Sequence, residues 1–279
     1  MTNKIRAIIT DLDGTLLPKN GEISGINKKA FEYAQQKGYF RIIATGRNLY
    51  SSLNILPPDF PIDYLVFSSG AGILRWSDQK LLFSRHLELK ETQDIARYLW
   101  NYNINFTIQK GIPDNHHFYY TDIYPLHPDY KHRLKTYAPF GTLIHAPEDI
   151  LDKATQLIII LDAIQIRLLE KVKTDLAAYS VVRSTSPVDH QAIWLEIFPA
   201  GINKGTSCHH LLNELGISCG ECAGLGNDYN DVDFLDLCGQ AFLVNNAPID
   251  LKPHYKSVAS DRNNGFAEPV EGITKTYAM

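Results

Sequence analysis

The chain has 279 residues, 44% of them hydrophobic, which is enough to bury a full core and long enough for two ordinary domains. Its 27 basic against 31 acidic residues leave a net charge of −4, so no global field exists to hold nucleic acid or an anionic membrane, and an anionic substrate would need local basic groups or a metal. The start, Met1-Thr2-Asn3-Lys4 running into Ile5-Arg6-Ala7-Ile8-Ile9, is too short an apolar run for a signal peptide or a membrane span, and a cytoplasmic protein is expected.

The first eighty residues alternate strand and helix signals in the order of a parallel sheet covered by helices. Ile5 to Thr10 reads as a buried strand. Ser24 can cap a helix whose apolar Ile26, Ala30 and Ala34 recur every four residues, with Gly38 as its stop. A second strand is predicted at Phe40 to Ala44, then a helix near Asn48 to Leu56 ended by Pro57-Pro58, and a third strand at Tyr64 to Phe67 leading into Ser69-Gly70-Ala71-Gly72. From about Phe83 this rhythm is lost. A polar helix at Glu91 to Tyr102, a short strand at Asn105 to Gln109, a strong strand at Leu157 to Leu161, a helix near Ile164 to Ala178 and strands at Ser180 to Arg183 and Ile193 to Phe198 make an inserted α+β segment. After Gly201 the α/β order resumes with a helix at Thr206 to Leu215, a strand ending at Leu225-Gly226, a helix from Asp231 and a strand at Gln240 to Val244. The expected fold is therefore α/β: a doubly wound, mainly parallel, Rossmann-like core from residues 1–83 and 200–279, with an inserted α+β cap at 84–199.

Asp11-Leu12-Asp13-Gly14-Thr15 follows the first strand directly, where an open α/β sheet places its ligand crevice. Asp and Gly also suit a plain tight turn. Two carboxylates one residue apart have a chemical use, however. A phosphate ester repels an anionic nucleophile until a divalent cation and positive groups neutralise it, after which Asp11 could attack phosphorus and form an aspartyl-phosphate. Asp13 could protonate the leaving oxygen and then deprotonate the attacking water, while Gly14 lets the chain turn and Thr15 ties the turn.

On these residues the chain resembles the haloacid dehalogenase superfamily, specifically the Cof-type phosphatases with a large α/β (type C2B) cap. That resemblance implies a hydroxyl for the phosphoryl group at the end of the second strand, where Ala44-Thr45-Gly46-Arg47 stands. Thr45, Gly46 and Arg47 are then phosphate-binding candidates at a helix N-terminus, although Thr45 could simply cap that helix. It also implies a lysine opening a helix where the chain returns to the core, and Lys204 in Ile202-Asn203-Lys204-Gly205 fits; it would neutralise charge shared by Asp11 and the phosphoryl group, the alternative being a surface lysine. The last motif of the family is usually Gly-Asp, two residues, Asn-Asp, whereas this chain reads Gly226-Asn227-Asp228-Tyr229-Asn230-Asp231. Asn227 thus replaces a carboxylate that ligates magnesium in the family. Its amide oxygen could still coordinate the cation, or Asp228 could supply the charge instead, while Asp231 would ligate through water or hold Lys204 in place. The implied Mg2+ site draws on Asp11, Asp13, Asn227, Asp228 and Asp231. Phe242 to Ala247 and Asn264-Gly265-Phe266 resemble the family's closing segments and are expected to be structural.

The expected activity is magnesium-dependent hydrolysis of a small phosphorylated metabolite such as a sugar phosphate, with the cap setting specificity and the protein a monomer or small homo-oligomer. A phosphoryl-transferring mutase and a catalytically impaired phosphosugar-binding protein are the alternatives. The aromatic stretch from His116 to Tyr130 could stack on a sugar but is expected to serve packing. His116-His117 and His209-His210 are not read as metal sites. Cys208, Cys219, Cys222 and Cys238 are read as small, partly buried thiols.

Overall fold

A computed structural model describes residues 4–276 apart from 20, 124, 163 and 187–191. The chain opens with β1 (Ala7–Thr10), α1 (Gly25–Gln36), β2 (Phe40–Ala44), α2 (Leu49–Ile55), β3 (Tyr64–Phe67), β4 (Gly72–Arg75) and β5 (Lys80–Ser84). Then follow α3 (Leu89–Asn101), β6 (Phe106–Lys110), β7 (Phe118–Tyr120), α4 (Pro128–Thr136), β8 (Gly141–Leu143), β9 (Ala154–Leu161), α5 (Ile166–Asp175), β10 (Ser180–Thr185) and β11 (Ile193–Phe198). The last stretch is α6 (Lys204–Glu214), β12 (Cys222–Gly226), α7 (Val232–Leu235), β13 (Gln240–Val244), β14 (Lys256–Val258) and α8 (Ala267–Thr276).

These elements divide into two compact units. The first comprises residues 1–47, 55–83 and 203–279, and the second residues 48–54 and 84–202. Residues 48–54, expected with the core, and 200–202 both group with the second unit. In α2 only Ser52 is buried, and Tyr50 stacks on the His116 ring of the second unit at 4.6 Å.

In the first unit the sheet order is β14-β13-β12-β1-β2-β3-β4-β5. The six strands from β14 to β3 are parallel and β4 turns back antiparallel to β3. β1 is central, with Ala7 beside Cys222 on one side and Phe40 on the other, and all four of its residues are buried. This is why it reads as an unbroken apolar run. The run begins at Ala7 and not at Ile5. Helix α1 starts as expected, with Ser24 Oγ accepting the Asn27 N–H at 3.1 Å. The architecture is the expected α/β one, with a Rossmann-like sheet.

The second unit carries its own sheet, ordered β10-β11-β9-β6-β7-β8 and antiparallel except for β7 beside β8. One face packs Phe106, Ile108, Leu157, Ile159, Leu195 and Ile197 against Ile95, Leu99, Leu169 and Val172 of α3 and α5. Over the other face, Tyr130 of α4 packs with Ile158, Ile160 and Trp194, and its hydroxyl donates to the Phe106 carbonyl at 2.7 Å. The aromatic stretch thus supplies β7 and buried packing, as expected. Two sheets, each with a dry face of its own, give each unit an independent source of apolar stabilisation.

Candidate active site

The parallel strands β12, β1 and β2 end on one edge, and the loops that leave them carry most of the site. Asp11, the first residue past β1, is 4% exposed and its N–H donates to the Leu225 carbonyl of β12 at 2.9 Å. The chain then folds tightly, with the N–H groups of Leu16 and Leu17 both returning to the Leu12 carbonyl. At Gly14 (φ +76°) the turn needs a left-handed residue, and a Cβ there would stand 2.6 Å from Asn227 Nδ2.

Lys204, the first residue of α6, is 1% exposed and reaches back to this loop. Its Nζ donates to Asp11 Oδ1 at 2.6 Å and to Asp231 Oδ1 at 2.7 Å. The helix start is fixed by Asn203, whose Oδ1 accepts the Thr206 N–H at 2.7 Å. Gly70 lies against the Asn203 backbone, and Ser207 Oγ donates to the Gly70 carbonyl at 2.7 Å. Burial pushes the Asp11 carboxyl up to about 8, Asp231 adding to the rise and Lys204 opposing it. Burial alone would lower the Lys204 ammonium, but the charges of Asp11 and Asp231 outweigh it and hold the group above its ordinary value.

Asp231 is a clamp. Its Oδ1 takes Lys204, and its Oδ2 accepts the N–H groups of Asn227 at 2.8 Å and Asp228 at 3.0 Å. Both oxygens of the wholly buried carboxylate are thus engaged by protein donors. Asn227 is brought to the Asp11 loop, where Thr15 Oγ1 donates to its Oδ1 at 3.0 Å.

Past β2, Thr45 is fully buried and its Oγ1 accepts the Arg47 N–H at 3.1 Å. It does not cap α2, since Asn48 Oδ1 accepts the Ser51 N–H at 2.8 Å. The carbonyls of Thr45 and Arg47 accept the N–H groups of Ser69 and Ser68 from the turn after β3, so Thr45, Gly46 and Arg47 are held by that neighbouring loop. Arg47 grips Asp13 through two hydrogen bonds, Nε to Oδ2 at 2.7 Å and Nη2 to Oδ1 at 2.6 Å.

Asp11, Lys204 and Asp231 therefore meet directly, Asp13 meets Arg47, and Asn227 meets Thr15. The sequence reading did not foresee the last two contacts. Asn246, expected to be structural, donates from Nδ2 to the Gly14 carbonyl at 2.8 Å and accepts the Asp261 N–H. Burial pushes the Cys208 and Cys222 thiols up to about 12, and such thiols are poor nucleophiles.

Among the described residues no three His, Cys, Asp or Glu side chains form a ready-made cation cluster. The donor chemistry nevertheless fits magnesium. The Asp11 and Asp231 side chains share the Lys204 ammonium, and Asp11 and Asn227 bring hard oxygens to the same pair of loops. No helix among the described residues is long and apolar enough to cross a membrane.

A family model of haloacid dehalogenase-like hydrolases matches residues 8–268. The 5-amino-6-(5-phospho-D-ribitylamino)uracil phosphatase of Bacillus subtilis (strain 168) is 24% identical over 292 residues, spanning 94% of this chain and 96% of its own. Among solved structures, a haloalkanoate-superfamily phosphatase from Bacteroides thetaiotaomicron superposes with a TM-score of 0.79 at 18% identity, over 97% of this chain and 95% of that one. A subclass IIB sugar phosphatase does so with a TM-score of 0.75 at 18% identity, over 96% and 99%.

Proposed function

Since the chain belongs to the haloacid dehalogenase-like hydrolases and is a phosphatase, we propose that it hydrolyses a small phosphomonoester, such as a sugar phosphate, through an aspartyl-phosphate on Asp11. The observation that carries this reading is the buried Lys204 ammonium bonded to both Asp11 and Asp231 at the end of the central strand. Asp11 attacks phosphorus, the ester P–O bond breaks, and the leaving oxygen takes its proton from Asp13. In the second half Asp13 accepts a proton from water, which attacks the aspartyl-phosphate, frees inorganic phosphate and restores the Asp11 carboxylate.

Lys204 balances charge on Asp11 and on the phosphoryl oxygens, and Asp231 positions Lys204. The Thr45 hydroxyl and the Gly46 and Arg47 N–H groups receive phosphoryl oxygens, and the Arg47 guanidinium exchanges part of its grip on Asp13 for the incoming anion. Magnesium, held by oxygens of Asp11 and Asp13 with Asn227 or Asp228, would supply further neutralisation of the phosphoryl charge. The inserted segment selects the leaving group. The B. subtilis relative acts on a phosphorylated ribityl compound, in keeping with a small metabolite.

The test is hydrolysis of a generic aryl phosphate with and without magnesium, on wild type and on Asp11→Asn. Turnover that needs magnesium and is lost in Asp11→Asn is expected. Full turnover in Asp11→Asn, or none that depends on the metal, sinks the mechanism.

A further inference from the structure

We infer that Ser68-Ser69-Gly70, the turn after β3, is a positioning bracket for the reaction: one left-handed stretch of backbone fixes both the loop 45–47 and the start of α6 that carries Lys204. The inference rests on the phosphatase mechanism above and deepens it, by naming what holds its phosphate-binding side and its lysine in register.

The bracket grips through backbone groups, all within the first unit. On one side the Ser68 N–H donates to the Arg47 carbonyl at 2.8 Å and the Ser69 N–H to the Thr45 carbonyl at 3.0 Å. On the other side Ser207 Oγ donates to the Gly70 carbonyl at 2.7 Å. A Cβ on Gly70 would stand 2.3 Å from the Asn203 carbonyl oxygen, so the turn lies directly against the residue that caps α6 and precedes Lys204. Three consecutive residues thus touch the loop offered to phosphoryl oxygens and the helix start that aims the ammonium.

The conformation that allows this is costly for serine. Ser68 and Ser69 both stand at φ +49° and Gly70 at φ +104°. Non-glycine residues rarely occupy that region, and two in succession persist only where their surroundings hold them. A tight turn between antiparallel strands can need positive φ for its own closure. Such turns normally sit at the surface, however, whereas here Ser68 and Ser69 are at most 1% exposed and Gly70 is buried beside them. A buried turn must find protein partners for its N–H groups, and this one finds them in the loop 45–47. Any shift of the turn therefore displaces the phosphate-binding N–H groups and Lys204 together, and a misplacement of about 1 Å can lower a rate by about a hundredfold.

The experiment is steady-state hydrolysis of an aryl phosphate, with inorganic phosphate as inhibitor. It uses the full-length wild type, Ser69→Gly, Ser69→Asn, Ser69→Ala, Ser69→Thr, Gly70→Ala, Ser207→Ala and the double variant Ser69→Thr/Gly70→Ala. Glycine and asparagine accept the left-handed region, so kcat and the phosphate inhibition constant are expected to stay within about twofold of wild type. Ser69→Ala, which lacks only the hydroxyl, is expected to stay within about threefold. Ser69→Thr keeps the hydroxyl but is β-branched, and is expected to lower kcat and weaken phosphate by about tenfold each. Gly70→Ala is expected to weaken phosphate as well, although it meets only the α6 side, and the double variant to be no worse than the poorer single one. Ser207→Ala, the mildest change on that side, is expected to move both constants the same way by about threefold, which keeps the comparison valid should Ser69→Thr or Gly70→Ala fail to fold.

A loss in Ser69→Ala equal to that in Ser69→Thr places the effect in the hydroxyl and overturns the inference. So does a kcat lowered by Gly70→Ala or Ser207→Ala with phosphate inhibition untouched, or single losses that multiply in the double variant, since the two sides then act independently. Lower melting temperatures with unchanged kinetics reduce the turn to a structural part and overturn it too. Absence of turnover from the wild type strikes the mechanism instead, and calorimetric titration of inorganic phosphate into the same variants then reads the bracket by the same criteria.

Discussion

At the scale of single residues, the buried trio of Asp11, Lys204 and Asp231 is where stability and chemistry are hardest to separate. Lys204→Met deletes an ammonium that serves two buried carboxylates, so about 3–5 kcal/mol of stability is expected to go, read as a lower urea midpoint. Lys90→Ala removes an exposed helix pair with Asp94 and is expected to leave that midpoint unchanged. Asp13→Asn separates the two chemical steps. With a p-nitrophenyl ester the leaving group needs little protonation, whereas hydrolysis of the aspartyl-phosphate still needs the base. Stopped-flow is expected to show a stoichiometric burst of p-nitrophenol followed by slow turnover. A linear time course at the wild-type rate would remove Asp13 from the second step. The placement of these residues was legible because each stands at a strand end or helix start with fixed spacing. The Arg47 grip on Asp13 and the Thr15 bond to Asn227 were not, since both join loops that meet only once β1, β2 and β12 lie side by side.

Elements were legible where burial imposed a pattern. β1, β2, β3, β12 and β13 are covered on both faces and so appear as apolar runs. β4 and β5 escaped because Lys80, Leu81 and Leu82 of β5 are exposed and β4 reads as a tail of the glycine-rich turn. Helix α4 escaped for a different reason. Its Pro-Asp-Tyr-Lys-His-Arg-Leu-Lys-Thr sequence buries only Asp129 and Tyr130, so no apolar stripe marks it. The junction that places Lys204 is itself testable as an element. Asn203→Ala removes the cap of α6 and is expected to cost about 1 kcal/mol. Gly70→Ala, at φ +104°, would drive a Cβ into the Asn203 carbonyl and is expected to cost more than the cap does, with phosphatase activity falling as the helix start shifts. Equal melting temperatures for Gly70→Ala and wild type would show that this contact does not fix the helix.

At the scale of the molecule, two sheets with separate dry faces predict that one unit can be weakened alone. In the second unit the buried Asp129 carboxylate accepts from Ser186 Oγ and from Trp194 Nε1 at 3.2 Å. Asp129→Ala leaves both donors without that partner and is expected to cost about 2–3 kcal/mol. Thermal unfolding followed by tryptophan emission is then expected to split into two transitions, the earlier one involving Trp194. A single transition shifted as a whole would mean that the two units unfold as one. The position of β1 has a last consequence, for biosynthesis. Its Ala7 is paired on one side with Phe40, which emerges almost at once, and on the other with Cys222. At about 5–20 residues per second, the strand that carries the nucleophile waits on the order of ten seconds or more on the ribosome with one edge bare. An unpaired apolar edge is an invitation to aggregation, so a holding chaperone has its longest opportunity before β12 arrives.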